Sequence, residues 1–156
     1  MEGKPGVVDA LNKHLTVELT AINTYFLQSE MCKNWGYDKL AAKFRALSME
    51  EMTDVEPLVN RILFLEGLPN MQRINPIVAP ENVLELLQGD LELEKQAVSV
   101  LQEGIGLCES VGDYTTRTIF EEMIKGEEEH VDWFETQLET IEQVGMQNYL
   151  SQHINE

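Results

Sequence analysis

Glu127 and His130 stand three residues apart in Glu127-Glu128-Glu129-His130, and Glu51 and Asp54 repeat that spacing in Glu51-Met52-Thr53-Asp54. Residues three or four apart share one face of a helix, so each pair can present two donors to a single ion. At alternating steps of three and four, the chain resolves into four apolar seams. They read Leu11, Leu15, Glu18, Ile22, Tyr25; Phe44, Leu47, Glu51, Asp54, Leu58; Leu84, Leu87, Leu91, Glu94, Val98, Leu101; and Phe120, Met123, Glu127, His130, Phe134, Leu138. Each seam carries an acid near its middle.

A lone buried carboxylate costs several kcal/mol unless it is paired or bound to metal, and four of them at one level would repel one another. No Lys or Arg falls on these seams at that level, which leaves an internal salt-bridge network without a partner. A rotated helix could turn any single Glu to solvent, but four such rotations are needed to remove the problem. Carboxylates with one imidazole select hard or borderline divalent cations, and two ions about 3.5 to 4 Å apart would share bridging Glu residues. Bundles in which some helices give one Glu and the others give Glu-x-x-His hold di-iron centres in this way. Glu127–His130 fits that motif, whereas Glu51–Asp54 fits it only with Asp in place of His.

The elements that must position these groups are long helices. Helices are expected over roughly 5–34, 38–65, 81–110 and 113–143, with a short fifth at 146–154. Asn34-Trp35-Gly36 and Gly112-Asp113 supply tight turns, with Asp113 as an N-cap. Both turns are short, so each joins an antiparallel hairpin. Between the hairpins, residues 66–80 contain Gly67, Pro69, Pro76 and Pro80 and lack helical pattern. About 15 extended residues reach about 50 Å, and a 28-residue helix is about 42 Å long, so this link can run the length of a bundle and leave helices two and three parallel.

The 156 residues include 28 Asp and Glu against 11 Lys and Arg, a net charge of -17. That excess argues against unaided binding to nucleic acid or an anionic membrane, since both require phosphates to be neutralised, and it points to cations as partners. No apolar run approaches the roughly 20 residues of a membrane span and no apolar signal region opens the chain, so a cytoplasmic protein is expected. Cys32 and Cys108 have no second Cys or His at ligand spacing and are expected to be buried apolar residues. His14 and His153 are expected at the surface, and Trp35 and Trp133 as packing anchors.

Over essentially its whole length the sequence resembles the bacterioferritins. The resemblance is carried by Ala21-Ile22-Asn23-Thr24-Tyr25-Phe26-Leu27, by the run from Arg61 to Asn70 (RILFLEGLPN), by His130-Val131-Asp132-Trp133-Phe134-Glu135 and by Gln147-Asn148-Tyr149-Leu150. It implies an all-α fold over 1–156, a ferritin-like four-helix bundle with a long crossover and a short fifth helix. It also implies a shell of twenty-four subunits that oxidises Fe(II) within each subunit and stores Fe(III) mineral inside, with haem b between paired subunits. An electron-donor protein for iron release belongs to the same picture. Carried over by position, the di-iron ligands and ferroxidase residues are Glu18, Glu51, Glu94, Glu127 and His130, with Asp54 where the family has a sixth ligand, His.

Two departures follow from this likeness. Asp54 is shorter than His and adds a charge, so one metal position could be poorly held. The chain would then be a haem-bearing subunit with impaired oxidation chemistry, working in a mixed shell beside a competent one. Arg45-Ala46-Leu47 stands where the family often has Tyr-His-Glu, which removes an accessory inner-surface ligand at Ala46. Met52 lies about 100° around the helix from Glu51, beside Met49 on a second apolar stripe, and Leu19, Asn23 and Phe26 form a comparable face on the first helix. Two such stripes predict a subunit interface, where the resemblance makes Met52 an axial haem ligand.

Overall fold

The computed structural model describes residues 1–155, which form five helices: α1 (Val7–Asn34), α2 (Asp38–Phe64), α3 (Val83–Val111), α4 (Tyr114–Val144) and α5 (Met146–Ser151). No strand occurs among the described residues. The helix ends fall within about three residues of the sequence expectation. The third helix begins after Asn82, whose side chain accepts from Glu85 N, and the fourth after Asp113, whose carboxylate accepts from Thr116 N. Both are N-caps that satisfy an amide the first helical turn leaves free. Gly112, at φ 78°, closes α3 in the left-handed region that side chains disfavour.

The second helix contains Pro57 and yet runs unbroken from Asp38 to Phe64. Proline removes the amide that would bond the Thr53 carbonyl, and α2 continues because both residues lie on its exposed side, where water can replace that bond.

α1 pairs antiparallel with α2, and α3 with α4. Across the hairpins, Lys13 meets Glu103 at 3.1 Å and Gln28 meets Asp90 at 2.8 Å, so α1 and α3 run in opposite directions. The crossover climbs beside α1: Asn12 Nδ2 donates to Leu68 O, Asn70 N to Asn12 Oδ1, and Asn75 N to Thr20 Oγ1. It therefore travels along the bundle as its length allows, and α2 and α3 are parallel. Gly104 lets the last turns of α3 and the start of α4 close up, since a Cβ there would meet the Phe120 ring at 2.8 Å.

The apolar core has two large blocks and a small cluster of Val17, Ala97 and Val100. One holds Tyr25, Phe44, Leu47, Leu87 and Phe134, and is closed at its end by Tyr149 of α5. The other holds Leu11, Leu15, Leu58, Leu101 and Phe120. Between them lies a layer of acids. Cys32 and Cys108 are free and buried, as expected, one in each block.

Candidate metal centre

Glu18, Glu51, Glu94 and Glu127 are all buried, each coming from a different helix, and His130 is buried beside them. Asp54, one turn beyond Glu51, is half-buried at the edge. The six residues singled out from spacing are thus brought to one level. Two overlapping donor groups result. Ligand atoms of Glu51, Glu94, Glu127 and His130 lie within 4.8 Å of one another, and so do those of Glu18, Glu51, Asp54 and Glu127. Glu51 and Glu127 belong to both. His130 Nδ1 stands 2.9 Å from Glu51 Oε1, 3.5 Å from Glu94 Oε1 and 3.6 Å from Glu127 Oε2. On its other side, Nε2 is 3.1 Å from Glu50 Oε2, a neighbour that the seam pattern did not reveal.

The layer is polar without being satisfied. Both Glu18 oxygens, Glu51 Oε1, Glu94 Oε2 and Glu127 Oε2 are sealed from solvent with no hydrogen-bond partner. Among the described residues no Lys or Arg forms an ion pair with any of these acids. Orphaned acceptors of this kind cost about 1 to 3 kcal/mol each, more when charged, and divalent cations would discharge that cost.

The protonation equilibria carry the same strain. Burial, then the neighbouring Glu127, raises the Glu18 carboxyl well above the usual range. Burial, then Glu18, does the same to Glu51. Burial pushes Glu94 up to about 8. Burial also raises Asp54, against the pull of His14 and His130. Burial alone would lower the His130 pKa, but the carboxylates of Glu127, Glu51 and Glu94 outweigh it and raise it. Several acids crowded around one imidazole, with no external cation, form a proton trap that a metal ion would empty.

His14 overturns its expectation. Expected at the surface, it has an exposure of 0%, and its Nε2 lies 2.7 Å from Glu18 Oε1. A signal for this was present: position 14 falls between Leu11 and Glu18 at steps of three and four, on the inner face of α1. His153 is half-buried, its ring 4.4 Å from that of Tyr149. Leu84, expected on the third seam, is exposed, while Ala97 and Val100 are buried, so α3 is turned slightly from the assigned seam. Leu19 likewise packs into the core and leaves Phe26 exposed on the second face of α1.

Residues 8–144 match the model of the ferritin-like domain. The chain is 43% identical over 155 residues to the bacterioferritin of Mycolicibacterium paratuberculosis, covering 99% of this chain and 98% of that protein. It is 40% identical over 149 residues to the bacterioferritin of Brucella melitensis, covering 96% and 92%. A Streptomyces coelicolor bacterioferritin is 44% identical over 151 residues, covering 97% and 90%.

The chain belongs to the bacterioferritin family.

Bacterioferritins are iron-storage proteins, and this layer of carboxylates with one imidazole is a donor set suited to divalent metal ions. Met52 is 54% exposed on α2. It lines an apolar depression with Met49, Val55, Val59 and Met71 of the crossover, away from the carboxylate layer. No helix among the described residues is long and apolar enough to cross a membrane.

Proposed function

We propose that this chain stores and detoxifies iron, oxidising Fe(II) to Fe(III) at paired positions inside the bundle and passing the product to a mineral enclosed by a twenty-four-subunit shell. The observation that carries this reading is the sharing of Glu51 and Glu127 between the two donor groups. Two Fe(II) ions held side by side by donors that share Glu51 and Glu127 would each give one electron to the same dioxygen molecule, which would take up two protons and leave as hydrogen peroxide, so the substrate would be oxidised in pairs.

Charge favours that direction. Glu18, Glu51, Asp54, Glu94 and Glu127 supply five negative charges when ionised, against four positive charges on two Fe(II) ions and six on two Fe(III) ions. In a layer closed above and below by apolar blocks, each added positive charge is stabilised more than it would be in water. Fe(II) entry also requires the raised carboxyl groups and His130 to release protons, so uptake and proton release are coupled.

The proposal includes haem b. Met52 presents a thioether on an apolar depression, which is the donor and surrounding a haem iron accepts, and a second copy of the chain would present the same group across a two-fold axis. Haem bound there would supply one-electron transfer through the shell wall, with a separate electron-donor protein serving iron release. We place the shell in the cytoplasm.

Stopped-flow mixing of the homomeric protein with Fe(II) in air tests the reading. A fast phase that saturates at two Fe(II) per subunit is expected. If wild type lacks that phase and Asp54→His creates it, the chain is instead a shell subunit with an impaired centre, completed by a competent partner in a mixed shell.

A further inference from the structure

His14 contributes a donor that the six seam residues do not include. Its ligand atom lies within 4.8 Å of those of Glu18 and Glu127, and these two acids also belong to the group that contains Asp54. The ring is wholly buried, neither Nδ1 nor Nε2 has a hydrogen-bond partner, and Nε2 stands 2.7 Å from a Glu18 oxygen that is itself orphaned. Phe120 packs edge-on against the ring at 6.4 Å. A buried imidazole with two unpartnered nitrogens is costly where a leucine would fill the same space, so the position calls for a ligand.

We propose that His14 is the imidazole ligand of the Glu18–Asp54 metal position, delivered from α1 one turn before Glu18. This rests on the two-ion reading given above. Without it, the position shared by Glu18, Glu51, Asp54 and Glu127 has oxygen donors alone, whereas the position beside Glu94 has His130. With it, each position holds one imidazole. Imidazole suits iron, and a neutral donor adds coordination without adding charge to a layer that already holds five carboxylates. Asp54, only half-buried, then serves as the outer carboxylate of a position whose nitrogen ligand comes from α1.

Titration of the metal-free full-length protein with Co(II) alone, followed by visible d–d absorption and calorimetry, tests this assignment. Wild type should take up two equivalents per subunit. His14→Leu should retain one and bind the second at least tenfold more weakly, with helicity unchanged. His14→Gln keeps a donor that can hydrogen-bond Glu18 but ligates poorly, and it should show the same loss. Moving the imidazole across the layer, in His14→Leu combined with Asp54→His, should restore the second equivalent.

A second equivalent held within twofold of wild type in either His14→Leu or His14→Gln would overturn the assignment, leaving His14 as packing or as a hydrogen-bond partner of Glu18. Loss of both equivalents from a helical His14→Gln protein would overturn it as well, since His14 would then organise the whole layer. A wild-type protein that binds no Co(II) within the bundle would instead sink the two-ion reading on which this one stands.

Discussion

The Tyr25 hydroxyl donates a hydrogen bond to Glu94 Oε1, joining α1 to α3 at the boundary between the upper apolar block and the acid layer. Burial, with Glu94 and Asp90 nearby, raises the tyrosine pKa well above its usual value, so the phenol keeps its proton and remains a donor. Its ring is held between Phe44 and Phe134 at centroid distances of 6.1 and 6.2 Å. A carboxylate that could otherwise swing between rotamers is thereby fixed from above.

Tyr25→Phe preserves the packing and removes only that bond. The metal-free protein should lose about 1.5 to 3 kcal/mol, because buried Glu94 loses its hydroxyl donor and keeps only His130 Nδ1 at 3.5 Å. Affinity at the Glu94–His130 position should drop about 10-fold to 100-fold, the range typical of a lost outer partner. Chemical denaturation and Co(II) titration measure the two effects separately.

Glu127→Leu should abolish paired metal binding and leave the fold intact or more stable. It replaces a buried, partly orphaned carboxylate with apolar volume. Thermal melts of the metal-free variant and wild type provide the comparison. A variant that loses helicity would show that Glu127 holds the bundle together rather than holding metal.

The metal-free protein should lose stability as pH rises above about 6.5. Glu94, pushed up to about 8, keeps in the fold a proton that the unfolded chain has already released, so its contribution declines between about 4.5 and 8. His130, raised above 6.5, acts in the same direction over the upper part of that range. His14, lowered to about 4 by burial, acts in the opposite direction and only below 6.5, where the unfolded chain takes up a proton that the fold refuses. Glu94→Gln should flatten the alkaline decline by a few kcal/mol in melts taken from pH 6.5 to 8.5. Saturating Co(II) should remove it.

Met52→Leu keeps the side-chain volume and removes the thioether sulfur. Haem should be absent from the purified variant while subunits still assemble to wild-type size. Absorption spectroscopy and gel filtration check this together, and an unchanged Soret band would rule out Met52 as the axial ligand.

At the far end of the bundle, Arg61 Nη2 lies 3.0 Å from Asp113 Oδ1, and the same carboxylate caps α4 by accepting from Thr116 N at 2.9 Å. Asp113→Ala should cost about 3 kcal/mol or more, since it removes a cap and leaves a largely buried guanidinium unpaired. Asp113→Asn retains the cap and should cost clearly less. Neither change should alter the Co(II) stoichiometry, because the pair lies below the second apolar block.

The sequence by itself determined the helices and the level of their acids. Glu18, Glu51, Glu94 and Glu127 each interrupt a seam near its middle, and one helix period suffices to place each of them inward. Turn chemistry at Gly112 and Asp113 located the second hairpin, and the reach of residues 66–80 allowed a parallel α2 and α3. Tertiary structure alone decided what faces what across the layer. Each residue step turns a helix by about 100°, so a small rotation exchanges one inward neighbour for the next. Leu84 left the core by such a turn of α3. His14 and Leu15 sit side by side on α1, and only the fit against Phe120 and Glu18 shows that the bundle has room for both. The bond from Tyr25 to Glu94 and the sharing of Glu51 and Glu127 join residues from different helices. They depend on how the helices are turned and shifted against one another, which spacing along a single helix does not encode.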